Sequence, residues 1–414
     1  MKPIHFLKIE GRSLGYLALL TLLGALIAIG GLAALYMEYN GHHVTGMNNQ
    51  VVWGTPHIFA VFLIVAASGA LNVASIASVF GRSLYKPLAR LSGLLAIALL
   101  AGGLAVLVLD LGRPDRLIVA MTYYNFKSIF AWNILLYTGF FAVVVVYLWM
   151  MMERRMNEYT KAAGLFAFVW RLILTTGTGS IFGFLIARAA YGTALLAPMF
   201  IIMSFAFGLA LFILVLIAAY AGTGRDLGDE IMRRLKNLLG VFIASVLYFV
   251  AVYHLTNLYI TAHHDVERFI LLDGGIYTQL FWIGHILIGC VLPLFLLYSP
   301  MGKVRGVIAV SAILVVLGGL AQMYVIIIGG QAYPLEIFPG MQVSSSFYDG
   351  VVAHYQPSLP EFLLGLGGFA LALGITAVAI KILPFLPTSL ADSAVDPHHT
   401  SGGAESPAGV PASA

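Results

Sequence analysis

The sequence predicts an all-α polytopic membrane protein with ten transmembrane helices, on three observations. The first is composition: 60% of the 414 residues are hydrophobic, 10% are charged and the mean hydropathy is +0.95, where a soluble domain carries about 25% charged residues. The second is a set of ten apolar runs, each near the roughly 20 residues that cross a bilayer. They are Leu14–Met37, His57–Phe80, Leu88–Leu109, Ser128–Met152, Ala162–Ala187, Leu195–Ala221, Leu238–Ile260, Ile276–Ser299, Val304–Ile328 and Pro360–Phe385. Backbone polar groups inside hydrocarbon need partners within their own segment, so these runs are helices. The third is the placement of Lys and Arg. With ten spans, sixteen fall on one side and five (Arg113, Arg116, Lys127, Arg188 and Arg268) on the other. The positive-inside bias then puts both termini in the cytoplasm.

Met1–Ser13 is a short basic leader without a cleavable signal pattern, expected to be a cytoplasmic flank. Residues 14–387 form the transmembrane domain, and 388–414, rich in Ala, Ser, Pro and Gly, are expected to be a disordered cytoplasmic tail. The net charge of +4 reflects the sidedness of Lys and Arg and gives no reason to expect nucleic acid. The single cysteine, Cys290, excludes a disulfide or an all-cysteine cluster within the chain and reads as a small buried packing residue. No metal site is expected: His42 and His43 are adjacent on a loop, with no further ligands at a recognisable spacing.

After the first span, Tyr36, Tyr39 and Trp53 read as interfacial aromatics. The second span carries His57, Ser68, Asn72 and Ser75 within about 60° of one another at 100° per residue. Such a face is either a small-residue packing seam or a polar path for protons. The third span ends in Asp110-Leu-Gly-Arg-Pro114. An acid and a base at the lip of a span are expensive there, roughly 2.5–3.5 kcal/mol per charge on insertion scales. Pro114 stops the helix and Gly112 lets the backbone turn. The loop beyond holds Tyr123, Tyr124 and Phe126, which would wall a pocket for a flat ring or belong to an aromatic belt. In the fifth span Arg171 shares a face with Thr175 and Thr178 and is expected to snorkel to the nearer end. The segment Gly222–Asn237 reads as a mixed-charge loop. His254 and His285 lie at a depth similar to His57. The loop from Gly329 to Leu359 contains no Lys or Arg and carries Glu336, Asp349 and His354; a loop of this length outside a bundle has a function or a partner.

Two stretches carry a family resemblance. Asp110-Leu-Gly-Arg-Pro114 at the end of a span resembles the motif of the NrfD/PsrC family, membrane subunits of polysulfide reductase-like and nitrite reductase-like complexes. Met47-Asn-Asn-Gln-Val-Val-Trp-Gly-Thr-Pro-His57, continuing to Asn72, is similar to the second span of the DsrP/HmeC branch, part of the DsrMKJOP complex of sulfur metabolism. The resemblance covers most of 47–385. It implies two four-helix bundles, the second to fifth and sixth to ninth spans, plus two extra helices. It implies a quinone-interacting subunit that binds menaquinone or ubiquinone as substrate and has no redox cofactor of its own. The partners implied are a periplasmic ferredoxin-like iron–sulfur subunit, a multihaem cytochrome c, a cytochrome b-type membrane subunit and a cytoplasmic iron–sulfur protein, in the inner membrane of a bacterium. Asp110 and Arg113 match the motif directly and His57 matches by position. Tyr123 and Tyr124 are candidates by their nearness to the motif.

Quinone chemistry moves two electrons and two protons, so the headgroup needs a hydrogen-bond donor and a titratable group within about 3 Å. His57 and Asp110 suit those roles, Arg113 would hold Asp110 ionised, and Ser68, Asn72 and Ser75 would continue a path across the membrane. Two other readings compete. A haem b cytochrome would draw its ligands from His57, His254, His285 and His263. A secondary transporter would show broken helices at corresponding positions, and the interior prolines, Pro198 and Pro293, are not obviously equivalent.

Overall fold

The computed structural model describes residues 4–335 and 350–395. Among them ten helices are long and apolar enough to cross a membrane: Leu14–Asn40, Thr55–Ser78, Ser83–Leu109, Ile129–Met152, Arg154–Gly183, Leu196–Thr223, Asp229–Tyr259, Ile276–Tyr298, Arg305–Ala332 and Leu359–Ile382, called spans 1 to 10 in order. All ten expected spans are present. The seventh differs most at its start. The loop expected at Gly222–Asn237 is helical from Asp229, because Asp229 and Glu230 favour a helix N-terminus. Glu230 also binds Arg233 and Arg234 at 2.8 and 2.6 Å across one turn. Glu336 and Asp349 of the last long loop lie outside the described residues.

The spans close into two rings. Span 2 packs on 3, 3 on 4, 4 on 5 and 5 back on 2; likewise 6 on 7, 7 on 8, 8 on 9 and 9 on 6. The rings share the contact of span 2 with span 6, span 10 covers spans 2 and 3, and span 1 packs on span 10. Span 2 is therefore central and buried along almost its whole length. Its crossing with span 6 depends on glycine: a Cβ on Gly69 would collide with the Ser204 carbonyl, and one on Gly208 with the Ala70 amide. Small residues of this kind let membrane helices approach closely.

Span 2 also has a turn at Leu71. Ser92 of span 3 bridges it, donating to the Ala70 carbonyl (2.7 Å) and accepting from the Ala74 amide (3.0 Å). The bridge gives these two backbone groups the partners that burial in hydrocarbon demands.

The end of the bundle that carries both described chain ends is tied together. Phe6–Leu7 pairs antiparallel with Leu386–Pro387. Thr388–Val395, expected to begin a disordered tail, is instead docked. Leu390 and Val395 are fully buried, and Asp392 accepts from the amides of Asp229 and Glu230 at the head of span 7. A carboxylate on a helix N-terminus satisfies orphan donors, and the apolar side chains beside it supply the rest. Residues 396–414 lie outside the described residues.

Candidate functional site

The site lies at the end of the bundle opposite the paired chain ends. Asp110 leaves span 3 with φ −97° and ψ 2°, its amide still donating to the Val106 carbonyl (3.1 Å). Gly112 then turns the chain at φ +69°, a conformation open to glycine and strained for other residues. The His42 ring packs on this turn: a Cβ at Gly112 would stand 3.3 Å from its Nε2. Span 2 begins beside the turn, with Pro56 in the first helical turn where its missing N–H does no harm. That start brings His57 Nδ1 to 2.9 Å from Asp110 Oδ2.

The pair is close but incompletely bonded. Its approach lies off the line of a good hydrogen bond, and among the described residues both Asp110 oxygens and His57 Nδ1 keep no aligned partner. The Asp110 side chain has no exposed surface, while that of His57 is 19% exposed. A buried carboxylate without donors is costly, and the end of span 3 adds the negative pole of the helix dipole. The imidazole is the group that offsets this charge and also the one that reaches the surface. The arrangement can pass a proton between a molecule at the protein edge and a carboxylate behind it.

Aromatic and polar supports hold the head of span 2. The Trp53 ring lies 6.3 Å from that of His57 and packs against Phe130 and Phe182 at 5.9 and 5.8 Å. Gln331 clamps the Trp53 backbone, accepting from its amide and donating to its carbonyl, both at 3.0 Å. Arg188 donates to the carbonyls of Gln331 and Gln50. From the last loop, the Tyr355 hydroxyl accepts from the Thr55 amide (2.7 Å) and donates to Glu361 Oε1 (2.6 Å). Burial, and then Glu361, push the Tyr355 phenol well above its ordinary range. Glu361 is itself buried and closes a capping box with Ser358 at the start of span 10.

Of the residues read from sequence, His57 and Asp110 meet. Arg113 does not hold Asp110: its guanidinium donates to Asp115 from Nε (3.0 Å) and Nη2 (2.8 Å), with both side chains largely exposed. The turn at Gly112 carries residue 113 outward, where Asp115 is the carboxylate at hand. That pairing raises Arg113 and holds the Asp115 carboxyl below its usual range. Tyr123 is exposed. The Tyr124 hydroxyl donates to the Ala131 carbonyl and its ring packs on Phe126 at 5.0 Å. Among the described residues neither tyrosine bonds to His57 or Asp110.

The polar face of span 2 is filled by span 5. Arg171 does not snorkel; it is completely buried. Its Nη2 donates to Asn72 Oδ1 (2.5 Å) and its Nη1 to the Ser68 carbonyl (3.4 Å), while Phe168 and Phe205 lie 4.8 and 5.1 Å from the guanidinium carbon. Ser68 also accepts from Thr175 (2.6 Å), and Ser75 donates to Leu71 one turn back. Asn72 and two phenyl rings give the guanidinium local partners that make the interior tolerable. Among the described residues Arg171 Nε and Asn72 Nδ2 remain without partners.

The other histidines lie apart. His254 Nδ1 meets Glu267 at 2.6 Å, Asn257 donates to the same carboxylate, and His263 contacts Asn257 at 3.2 Å. His285 is buried in span 8, 3.3 Å from the Gly318 carbonyl. Among the described residues no group of three or more His, Cys, Asp or Glu is placed to hold a metal ion.

The supports around His57 were the part that sequence reasoning missed. The Ser358-x-x-Glu361 capping box is a readable signal for a helix start, but nothing local says that it also braces Thr55. Trp53 read as an interfacial aromatic, and its place beside His57 was not foreseen.

The profile of the NrfD, polysulphide reductase, family matches residues 43–334. The chain is 30% identical over 397 residues to the Hdr-like menaquinol oxidoreductase integral membrane subunit of Archaeoglobus fulgidus, covering 95% of this chain and 99% of that protein. It is 23% identical to a subunit of selenate reductase from Mesobacillus selenatarsenatis, over 86% of this chain and 92% of that protein. It is 25% identical to a polypeptide of the polysulfide reductase of Wolinella succinogenes, over 69% of this chain and 96% of that one.

Proposed function

This chain belongs to the NrfD, polysulphide reductase, family, and from that premise we propose that it is the quinone-interacting membrane subunit of an electron-transfer complex. The observation that carries the reading is the His57–Asp110 pair: a buried carboxylate without aligned donors, reached through a partly exposed imidazole beside Trp53. A quinone headgroup supplies redox chemistry at such a place, exchanging two electrons and two protons. His57 accepts a proton from a quinol hydroxyl, or gives one to a quinone carbonyl in the reverse direction. Asp110 stabilises the imidazolium formed and can take the proton onward. Trp53 offers a flat face for the ring. The electrons pass to or from an iron–sulfur partner docked over the same end, since this chain presents no redox centre in the reading.

The relative from Archaeoglobus is named for menaquinol, which supports menaquinone over ubiquinone. Its coverage over nearly the full length of both proteins fits the DsrP/HmeC branch, and the remaining partners proposed from that resemblance are a multihaem cytochrome c, a cytochrome b-type subunit and a cytoplasmic iron–sulfur protein. The excess of Lys and Arg at the end bearing the chain termini supports a cytoplasmic placement of that end, and the proposed location is a bacterial inner membrane. Proton exchange is assigned to the His57 end alone. The Ser68, Asn72 and Ser75 face runs into the fixed charge of Arg171, and a buried arginine opposes proton passage.

The test is purification of the tagged protein from native membranes, with mass spectrometry of its partners and a quinol-dependent reduction assay. Co-purification of an iron–sulfur protein with quinol-dependent activity is expected. A protein that arrives alone and binds no quinone analogue would overturn the reading.

A further inference from the structure

A cavity lies far from His57, at the end where the chain termini pair. It is a groove of about 740 Å³, within the roughly 300–1,000 Å³ typical of ligand pockets. Spans 1 and 6 form its walls through Leu19, Leu23, Val215 and Ala218, and span 10 forms its floor through Thr376 and Ile380. Span 1 packs on span 10, so a gap remains between spans 1 and 6. At Gly15 and Gly222, which both line the groove, a Cβ would meet nothing within 4 Å.

The mouth is basic. Lys8, Arg12 and Arg225 line it with one carboxylate, Glu10. Lys381 reaches the same edge, its ammonium 5.6 Å from the Tyr16 ring. Arg225 donates only to carbonyls, those of Leu7, Lys8, Leu386 and Pro387. Among the described residues none of these four cations makes an ion pair with a carboxylate. A long apolar trough that ends under unpaired cations matches one kind of ligand: acyl chains joined to a phosphate.

We propose that this groove is a binding site for an anionic phospholipid, with its acyl chains between spans 1 and 6 and its phosphate at Lys8, Arg12 and Arg225. Basic pockets between transmembrane helices bind such headgroups, and guanidinium and ammonium groups give charge-assisted bonds to phosphate oxygens. Among the described residues no histidine lines the mouth, in contrast to the His57 end. The bound lipid would also brace the leader, where Tyr16 already donates to the Ala377 carbonyl of span 10 and Arg225 to the Leu7 and Lys8 carbonyls.

The experiment is native mass spectrometry of the full-length, delipidated protein titrated with phosphatidylglycerol and, separately, phosphatidylcholine. Two variants accompany the wild type: Lys8→Gln/Arg12→Gln removes charge, and Ala218→Trp fills the groove with the charges intact. The wild type is expected to prefer phosphatidylglycerol. The double variant is expected to lose about twenty-five-fold in affinity, a factor of roughly five per basic contact, and Ala218→Trp to lose the site. Quinone-analogue binding at the other end is expected to stay unchanged in both. Equal binding of the two lipids, or undiminished phosphatidylglycerol binding by both variants, would overturn the proposal. So would recovery of a quinone or a partner helix from the groove.

Discussion

Replacing Asp110 by Asn keeps the shape of the side chain and removes its charge and its ability to take a proton. The structure sets the expected size of the effect. The Asp110 side chain has no exposed surface and lies 2.9 Å from His57. The next carboxylate along the chain, Asp115, is committed to Arg113. Among the described residues His57 therefore loses its charged partner, and a positioned general acid–base contributes about 10²–10⁴ in rate, or roughly 3–5 kcal/mol of barrier. Quinol-dependent turnover of the purified complex is expected to fall by at least about a hundredfold. Gel filtration should show the complex intact, because the substitution is isosteric and removes a costly buried charge. An assembled Asp110→Asn complex that turns over within about threefold of wild type, well short of the loss expected for a general acid–base, would refute the reasoning.

Three further outcomes test the supports. Asn72→Ala leaves the buried Arg171 Nη2 without its acceptor and should cost about 1.5–3 kcal/mol. Arg171→Met/Asn72→Leu, which removes charge and partner together, should melt closer to wild type; the reverse order in thermal unfolding would contradict the assignment. Tyr355→Phe strands the Thr55 amide and Glu361 Oε1 and should cost about 1–3 kcal/mol. The Tyr355 phenol is raised in the folded state, so its contribution is complete below its unfolded value near 10 and is lost as pH climbs through the folded one. The wild-type advantage in melting should therefore be constant between about pH 6 and 9, and a decline within that window would contradict it. Gly112→Ala, at φ +69° and against His42, should lower stability by about 1–2 kcal/mol, measured by the same melts.

Ten spans were legible because each is an apolar run long enough to cross hydrocarbon, and that signal is local. The contact of His57 with Asp110 was half legible: both stood out as polar groups at span ends, but their meeting depends on how spans 2 and 3 pack. The partner of Arg113 was misread because Asp115 was weighed as loop and Asp110 as site, while the turn at Gly112 decides which carboxylate the guanidinium reaches. Arg171 was misread for the opposite reason. Its distance from a span end suggested snorkelling, yet Asn72 and the Phe168 and Phe205 rings, on three different helices, hold it inside. Tyr355 and Glu361 reach Thr55 across about three hundred residues of chain, a contact that no spacing announces.

The most direct measurement is photoaffinity labelling of the native complex with an azidoquinone, followed by mapping of the labelled peptides. Labelling at Trp53–His57 or Leu109–Gly112, suppressed by excess unlabelled quinone and absent in His57→Ala, is the predicted result. Competable labelling confined to the His254–His285 region, with none at His57, would contradict the account.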